Sequence, residues 1–288
     1  MKDTIHASNA GKLTVGDREV NRIGFGAMRI TGQGIWGEPS DRLAAGALLK
    51  RAVELGVNFI DTADAYGPEV SERIIRETLY PYADLLIATK GGITRQGPDI
   101  WTPDCSPAYL MEACAASLER LGIEQIELYQ LHAVDSKVPF MDSLQALIGL
   151  QSSGRIKHIG LSNVEPRHLE QALDSCKIVS VQNHYNLMHR EHEDVLKICE
   201  DKAVVFIPYF PLGAGDLTAV DGPLTTYAAK YAATPGQIAL AWLLAHSKQM
   251  LPIPGTSSII HLEENIAAAS VQLDDDDIHE LTALYTSE

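Results

Sequence analysis

Three consecutive segments of the sequence decide the fold: LLIATK (85–90), PAYLMEACAASLERL (107–121) and IELYQL (126–131). The first and third are short apolar runs of strand length. The middle segment opens after a serine with a proline and repeats its apolar residues at helical spacing, so it is typical of an amphipathic helix. Strands that alternate with a helix of this length pair in parallel.

The same alternation continues along the chain on both sides of these segments. Eight apolar runs are predicted as strands, namely Val20–Phe25, Val57–Ile60, Leu85–Thr89, Ile126–Leu131, Ile156–Leu161, Ile178–Gln182, Val204–Pro208 and Met250–Ile253. Amphipathic stretches such as Asp41–Leu55 and Pro139–Gly154 lie between them, without any Pro/Gly/Ser-rich linker. Eight strand–helix units in about 250 residues predict an α/β fold, a (β/α)8 TIM barrel that forms one domain over residues 1–288. Lys12–Val20, with Gly16-Asp17 in its middle, predicts an N-terminal β-hairpin.

Composition excludes several other classes of protein. The 288 residues are 45% hydrophobic and carry a formal net charge of −15, which disfavours binding to nucleic acid. Four scattered cysteines without a Cys-x-x-Cys pair predict neither a disulfide framework nor a structural zinc site. Because no signal peptide and no membrane-spanning apolar run is evident, we expect a cytoplasmic protein that does not bind membranes.

A glycine motif raises one alternative fold. GQGIWG (32–37) matches the G-x-G-x-x-G fingerprint of dinucleotide-binding doubly wound folds, and Asp61 follows the second predicted strand. However, these glycines do not follow a strand directly, and the next helix is predicted to begin only near Asp41. We therefore interpret the motif as a flexible loop.

Side chains capable of acid–base chemistry follow three consecutive predicted strands. Asp61 and Tyr66 come after the second strand, Lys90 after the third and His132 after the fourth. Because strand ends converge on one face of a barrel, we expect these groups to lie within reach of one another. A lysine lowers the pKa of a nearby phenol, a carboxylate holds the lysine, and an imidazole polarises a carbonyl, which together suits proton donation to an alkoxide. The alternative is a buried Lys–Asp pair with Tyr66 and His132 as wall residues.

The stretch DTADAYG (61–67), followed by Ser71-Glu72, resembles the signature of the aldo-keto reductase family. Lys90 and His132 match the other two members of that family's catalytic tetrad, and the resemblance covers nearly the whole chain. It implies a (β/α)8 barrel that reduces aldehydes and ketones with NAD(P)H. By this resemblance Tyr66 is the general acid and Lys90 lowers its pKa. Asp61 then anchors Lys90, while His132 orients the substrate carbonyl.

The later strand ends resemble the family's cofactor site. GLSN (160–163) matches a G-x-S-N motif whose Ser162 and Asn163 hold the nicotinamide carboxamide, a task that Gln182 shares. Tyr209 matches the aromatic residue that stacks on the nicotinamide, with core packing as the alternative. The other cofactor contacts that the resemblance implies are Met28, Asp61, Phe210, Pro211, Leu212, Gly213, Gly255, Thr256, Ser257, Ser258, His261 and Asn265.

The segment PIPGTSSIIHLEEN (252–265) departs from the family pattern at two positions. Many members carry Lys and Arg where this chain has Gly255 and His261, so two cations that would pair with a 2′-phosphate are missing. Hydroxyl side chains at a predicted helix N-terminus remain, and these favour anions. A glycine-containing version of the segment also resembles a bacterial branch of the family that uses NADPH. We therefore expect NADPH, with NADH as the alternative.

Two further groups of residues have competing interpretations. His184, His189 and His192 are close in sequence, as in metal-dependent hydrolases, but no H-x-H motif or strand-end carboxylate completes a metal shell. We interpret them as a polar helix start and expect no metal. Trp36 and Trp101 follow the first and third strands, where they could line a substrate pocket or only pack within loops.

Taken together, the sequence predicts a reductase of small-molecule carbonyls that uses NADPH. Segments such as VQNHYN (181–186) resemble the bacterial branch of the family that includes pyridoxal reductase, so pyridoxal is a candidate substrate. The alternative from another functional class is a nucleotide-binding regulatory subunit with little turnover, like the ion-channel β-subunits of the same family. Such a subunit would be expected to carry an additional partner-binding segment.

Overall fold

The computed structural model describes residues 5–285. Its strands are β1 Lys12–Val15, β2 Arg18–Asn21, β3 Phe25–Gly26, β4 Phe59–Asp61, β5 Leu86–Gly91, β6 Ile93–Gly97, β7 Ile100–Pro103, β8 Ile126–Leu131, β9 Ile156–Ser162, β10 Ile178–His184 and β11 Val205–Tyr209. Its α-helices are α1 Arg42–Glu54, α2 Val70–Leu79, α3 Pro107–Leu121, α4 Phe140–Ser152, α5 Pro166–Ser175, α6 Glu193–Lys202, α7 Thr225–Lys230, α8 Pro235–His246, α9 Ile259–Ala267 and α10 Asp275–Leu284.

Seven strands form one parallel sheet in the order β3-β4-β5-β8-β9-β10-β11. Neighbours in the sheet follow one another along the chain, apart from the excursion of β6 and β7. A doubly wound sheet instead reverses its strand order at a switch point. The predicted α/β fold with a parallel sheet is therefore confirmed, and the arrangement is TIM-barrel-like.

Residues 249–252 lie between the two edge strands of this sheet. Leu251 N donates to Phe206 O of β11 at 2.9 Å, and Gly24 N, just before β3, donates to Pro252 O at 2.9 Å. Sequence analysis predicts a strand over Met250–Ile253, whereas the structure has only an isolated parallel bridge between Phe206 and Met250. Prolines at 252 and 254 lack the N–H groups that a regular ladder requires.

Two apolar layers surround the sheet, because successive strand residues point to opposite sides. The inner layer contains Val15, Val20, Phe59, Leu86, Ala88, Leu128, Val179, Val205, Ile207, Leu251 and Ile253. Ile60, the next residue after Phe59, belongs instead to the layer between strands and helices. The inner layer is thus a packed core, as expected for a small barrel.

The predicted hairpin is present, but the predicted first barrel strand is wrong in its bounds. Sequence analysis assigns Val20–Phe25 to one strand, whereas Val20 lies in the hairpin strand β2 and only Phe25 lies in the parallel sheet. The cause is packing: Val15 and Val20 are both buried in the inner apolar layer. The hairpin therefore covers one end of the sheet.

The remaining local predictions agree closely with the structure. Helix α3 has the predicted bounds, with the Ser106 side chain capping its first turn and Gly122 in the left-handed region just after it. The glycine motif at 32–37 forms a 3-10 turn rather than a helix start. All four cysteines are free. Among residues 5–285, no helix is both long and apolar enough to cross a membrane.

Candidate active site

A cavity of about 920 Å³ lies at the carboxyl ends of the parallel strands. Its lining includes Asp61 from β4, Ser162 from β9, Gln182 from β10 and Tyr209 from β11, together with His132 just after β8. Convergence of polar side chains follows from parallel pairing, which places all these strand ends at one edge. The volume lies in the upper part of the range typical of ligand sites.

Lys90 connects two of the predicted tetrad residues beneath this cavity. Its Nζ donates to Asp61 Oδ2 at 2.6 Å, to the Thr62 carbonyl at 2.9 Å and to the Tyr66 hydroxyl at 3.2 Å. The Lys90 side chain is completely buried, and that of Asp61 is 2% exposed. All three N–H donors of the ammonium therefore have protein acceptors, which fixes its position under the phenol.

The carboxylate of Asp61 is held from a second side. Its Oδ1 accepts hydrogen bonds from Gln130 Nε2 at 3.0 Å and from Gln182 Nε2 at 2.8 Å. By resemblance Gln182 is expected to hold a carboxamide, whereas in the structure its amide donates to Asp61. The sequence analysis missed Gln130, although the alternation of β8 places it on the inner side of the strand.

The protonation of Tyr66 is set by two opposing effects. Burial raises the pKa of the phenol above its ordinary value of 10.0, and the Lys90 ammonium offsets only part of this increase. As expected, the interaction with Lys90 by itself lowers the pKa of Tyr66. The net shift, which includes the effect of burial, is nevertheless upward. Burial by itself lowers the pKa of Lys90, yet the adjoining Asp61 carboxylate raises it above 10.5 overall. At neutral pH the phenol thus keeps its proton beside a charged lysine.

His132 lies beside this group as a neutral imidazole. Burial, followed by the charges of Lys90 and Arg95, holds the pKa of His132 well below 6.5. Its ring is edge-on to Tyr66, with 5.9 Å between centroids, and to Trp101, with 6.4 Å between centroids. Within residues 5–285 its buried Nδ1 has no hydrogen-bond partner. A neutral imidazole has one N–H donor and one acceptor nitrogen.

Ser162, Asn163 and Tyr209 form a linked group on another wall. The Asn163 amide donates to the His132 carbonyl at 2.9 Å and to Ser162 Oγ at 3.1 Å, and Tyr209 Oη donates to Asn163 Oδ1 at 2.8 Å. The ring of Tyr209 is stacked on His184, with 5.4 Å between centroids. Among residues 5–285 no acceptor is found for the proton of the Ser162 hydroxyl, and Asn163 links this group to the aromatic Tyr209.

The far end of the cavity has the character of an anion site. Thr256 and Ser257 line it just before α9, and the Ser258 hydroxyl caps that helix by accepting from His261 N at 3.4 Å. Arg29, which the sequence analysis missed, also lines the cavity. A Cβ built on Gly255 would lie 3.7 Å from Arg29 Cγ, so this arginine sits beside the position where the resemblance implies a lysine in many members of the family.

Most of the residues predicted for the site do line the cavity. These are Met28, Asp61, Tyr66, Trp101, His132, Ser162, Asn163, Gln182, Tyr209, Phe210, Pro211, Leu212, Gly255, Thr256, Ser257, His261 and Asn265. Four predicted residues do not line the cavity. Lys90 lies beneath it, and Ser258 caps α9. Gly213 begins a 3-10 helix, and the Trp36 backbone pairs with Gly67. The sequence analysis also missed Ile35 and Asp99 from loops, Ile93 at the start of β6 and Glu264 of α9.

The three clustered histidines do not form a metal site with carboxylates or thiols in the described part of the chain. His184 ends β10 against Tyr209, His189 lies in the following loop, and His192 directly precedes α6. A group with metal-ligand geometry does exist far from the cavity, at Asp17, Glu127 and His158. There the Lys157 ammonium lies 2.9 Å from Asp17, so a lysine rather than a metal ion provides a positive charge next to this carboxylate.

Comparison with known proteins gives a consistent result. A model described as the Aldo/keto reductase family matches residues 22–286. The chain is 50% identical over 269 residues to an uncharacterized oxidoreductase of Schizosaccharomyces pombe, covering 93% of this chain and 88% of the relative. It is 42% identical over 275 residues to pyridoxine 4-dehydrogenase of Escherichia coli, covering 93% and 96%. A crystal structure of an aldo-keto reductase from Klebsiella pneumoniae in complex with NADPH matches with a TM-score of 0.81 at 25% identity, covering 96% and 95% of the two chains.

Proposed function

The chain belongs to the aldo/keto reductase family and is an NAD(P)H-dependent oxidoreductase, and we propose that it reduces aldehydes and ketones to alcohols with NADPH. One observation carries this proposal: a buried Lys90 ammonium joins the Asp61 carboxylate to the Tyr66 phenol under a cavity of about 920 Å³. A proton donor held in this way suits a reaction that creates an alkoxide.

Four residues of the chain take part in protonating the substrate. Bound NADPH supplies the hydride for the carbonyl carbon. Tyr66 donates its phenolic proton to the carbonyl oxygen, and Lys90 stabilises the resulting phenolate through its charge. Asp61 keeps Lys90 charged in a buried position. The neutral ring of His132 offers an N–H to the carbonyl oxygen and so orients the substrate before the proton moves.

The donor groups along the cavity fit a nicotinamide dinucleotide. Ser162 supplies a hydroxyl donor for an amide, and Tyr209 supplies an aromatic surface at the same end. At the other end Thr256 and Ser257 precede the N-terminus of α9, which favours phosphate. Arg29 lies on the cavity wall between β3 and this segment, where its guanidinium can pair with the diphosphate. This local positive potential explains how a chain of net charge −15 holds an anionic cofactor.

The substrate we propose is a flat aromatic aldehyde such as pyridoxal. Trp101, Ile93 and Ile35 line the cavity beside Tyr66 and His132, which gives this part of the wall an apolar character. Identity of 42% to an enzyme named pyridoxine 4-dehydrogenase supports the same class of substrate. Tyr66 and His132 place the reacting carbonyl at the edge of this apolar wall.

We also infer that the fold is a complete (β/α)8 barrel in one domain. The support comes from residues 249–252, which bond to β11 on one side and to the start of β3 on the other. In that arrangement Met250–Ile253 acts as the eighth member of the barrel. The cavity then lies at the mouth of a closed ring of strand ends.

The test is reduction of a panel of carbonyl compounds by the purified chain, followed by the loss of nicotinamide absorbance. Pyridoxal, benzaldehyde and propionaldehyde are compared with NADPH and with NADH, and NADPH binding is measured separately by fluorescence. We expect turnover with NADPH, faster with the two aromatic aldehydes. Tight NADPH binding without oxidation by any carbonyl would overturn the proposal and favour a regulatory nucleotide-binding role.

A further inference from the structure

Arg95, on the excursion formed by β6 and β7, uses every N–H of its guanidinium on backbone carbonyls. Nε donates to Ile100 O at 2.8 Å. One terminal nitrogen donates to Ile35 O and Ala65 O, both at 3.0 Å. The other donates to Gly34 O at 2.9 Å and Gly97 O at 3.3 Å. Five donors thus meet five acceptors, which leaves none for a substrate.

These five acceptors belong to three different loops around the cavity. Ile35 and Gly34 follow β3, Ala65 follows β4, and the other two carbonyls belong to the β6–β7 hairpin itself. A further bond joins the hairpin to the first loop, from Asp99 N to Gly34 O at 3.1 Å. Arg95 is therefore the common point at which three substrate-side loops are held together.

The same guanidinium lies flat against a residue of the cavity wall. Its central carbon is 3.6 Å from the centroid of the Trp101 ring, a close cation–π contact. Trp101 is in turn edge-on to Tyr66, with 6.3 Å between centroids, and to His132, with 6.4 Å. One face of the indole is thus covered by Arg95, and the ring packs in a T-shaped arrangement against Tyr66 and His132.

We propose that Arg95 is a positioning residue that fixes Trp101 as the wall of the carbonyl pocket, so that preference for flat aromatic aldehydes depends on it. This inference rests on the proposed function. The guanidinium that covers one face of the indole is itself held in place by five hydrogen bonds to backbone carbonyls. A lysine has three donors on a flexible stem and cannot bond three loops while stacking on a ring.

The test compares Arg95→Lys and Arg95→Met with Arg73→Met, which removes an exposed ion pair on α2. For each purified variant kcat and KM are measured with benzaldehyde and with propionaldehyde, and the Kd of NADPH is measured by fluorescence. Arg95→Met should raise the KM for benzaldehyde by about five- to tenfold relative to that for propionaldehyde. Arg95→Lys should behave nearly as Arg95→Met does, and Arg73→Met should resemble the wild type.

A second readout does not depend on turnover. Acrylamide quenching of Trp101 is obtained from the difference between each protein and its Trp101→Phe counterpart. Release of the indole in Arg95→Met should increase this quenching, while circular dichroism and the Kd of NADPH stay unchanged. If the wild type reduces no carbonyl, the proposed function fails, but quenching still decides whether Arg95 fixes Trp101.

Two results would overturn the inference. An equal change in KM for both aldehydes, or none, would mean that Arg95 does not set selectivity. Unchanged quenching of Trp101 would mean that the indole keeps its place without the guanidinium. Should Arg95→Met fail to fold, Arg95→Lys retains the charge and provides the same comparison.

Discussion

The ammonium of Lys90 lies 2.6 Å from Asp61 Oδ2, with both side chains almost fully buried. Removing one charge of a buried pair leaves the other without compensation. We therefore expect Asp61→Asn to lower the free energy of unfolding by about 3–5 kcal/mol, as urea denaturation would measure. Asp17→Asn, at an exposed pair on the hairpin, should change it by less than about 1 kcal/mol. Equal effects in the two variants would contradict the importance of the buried pair.

Tyr66→Phe tests the source of the proton. The variant keeps the ring and loses only the hydroxyl that Lys90 contacts at 3.2 Å. We expect kcat to fall by about 10²- to 10⁴-fold, while the Kd of NADPH stays within about twofold. Tyr109→Phe removes a phenol outside the cavity and serves as the control. Retention of the wild-type kcat by Tyr66→Phe would place the proton donor elsewhere.

Much of the site follows from the sequence because it depends on strand ends. Asp61 ends β4, Lys90 is the penultimate residue of β5 and His132 follows β8. Such strand ends meet at one edge whatever the detailed packing. The alternation of apolar runs and helices in the sequence was therefore enough to predict that these residues lie close together. Ser162 and Gln182 are expected at the site by resemblance to the family, and they too lie near the ends of parallel strands, β9 and β10.

Other features depend on contacts between loops, which no local pattern specifies. Three of the five carbonyl partners of Arg95 come from loops that are about thirty and sixty residues away along the chain. The net direction of the Tyr66 pKa shift depends on how completely the phenol is buried, which spacing cannot reveal. The strand bounds near Val20 likewise depend on the inner apolar layer that the hairpin covers.

Arg29 tests the anion site at the far end of the cavity. An arginine–phosphate contact is charge-assisted, so its loss costs about 1.5–3 kcal/mol. We expect Arg29→Ala to raise the Kd of NADPH by about tenfold or more, and that of NADH by a similar factor, since both carry a diphosphate. Titration by fluorescence or calorimetry measures both constants. Arg167→Ala, on exposed α5, is the control. An effect confined to NADPH would instead assign Arg29 to the 2′-phosphate.

Asp64 makes stability depend on pH through its burial. Burial, followed by repulsion from the Glu72 carboxylate, raises the pKa of Asp64 from 3.8 to about 8. Its Oδ2 accepts from Tyr109 at 3.3 Å, while among the described residues its Oδ1 has no partner. The folded state therefore holds a neutral carboxyl group at neutral pH.

The sign of the effect follows from proton linkage. Below about pH 4 both states are protonated, so Asp64 contributes no dependence on pH. Between about pH 4 and pH 8 only the unfolded state loses the proton, and each unit of rising pH lowers the free energy of unfolding by about 1.4 kcal/mol. Above about pH 8 both states are ionised, and the loss is complete.

Asp64→Asn removes this ionisation and keeps the shape of the side chain. Between about pH 5 and pH 7 we expect the wild type to lose about 2–3 kcal/mol more stability than the variant, as urea denaturation at the two pH values would measure. Asp221→Asn, at an exposed loop position, should keep the slope of the wild type. If the slope of Asp64→Asn also equals that of the wild type, Asp64 is ionised in the folded protein. In that case its charge would be compensated by Arg120, whose interaction lowers the pKa of Asp64.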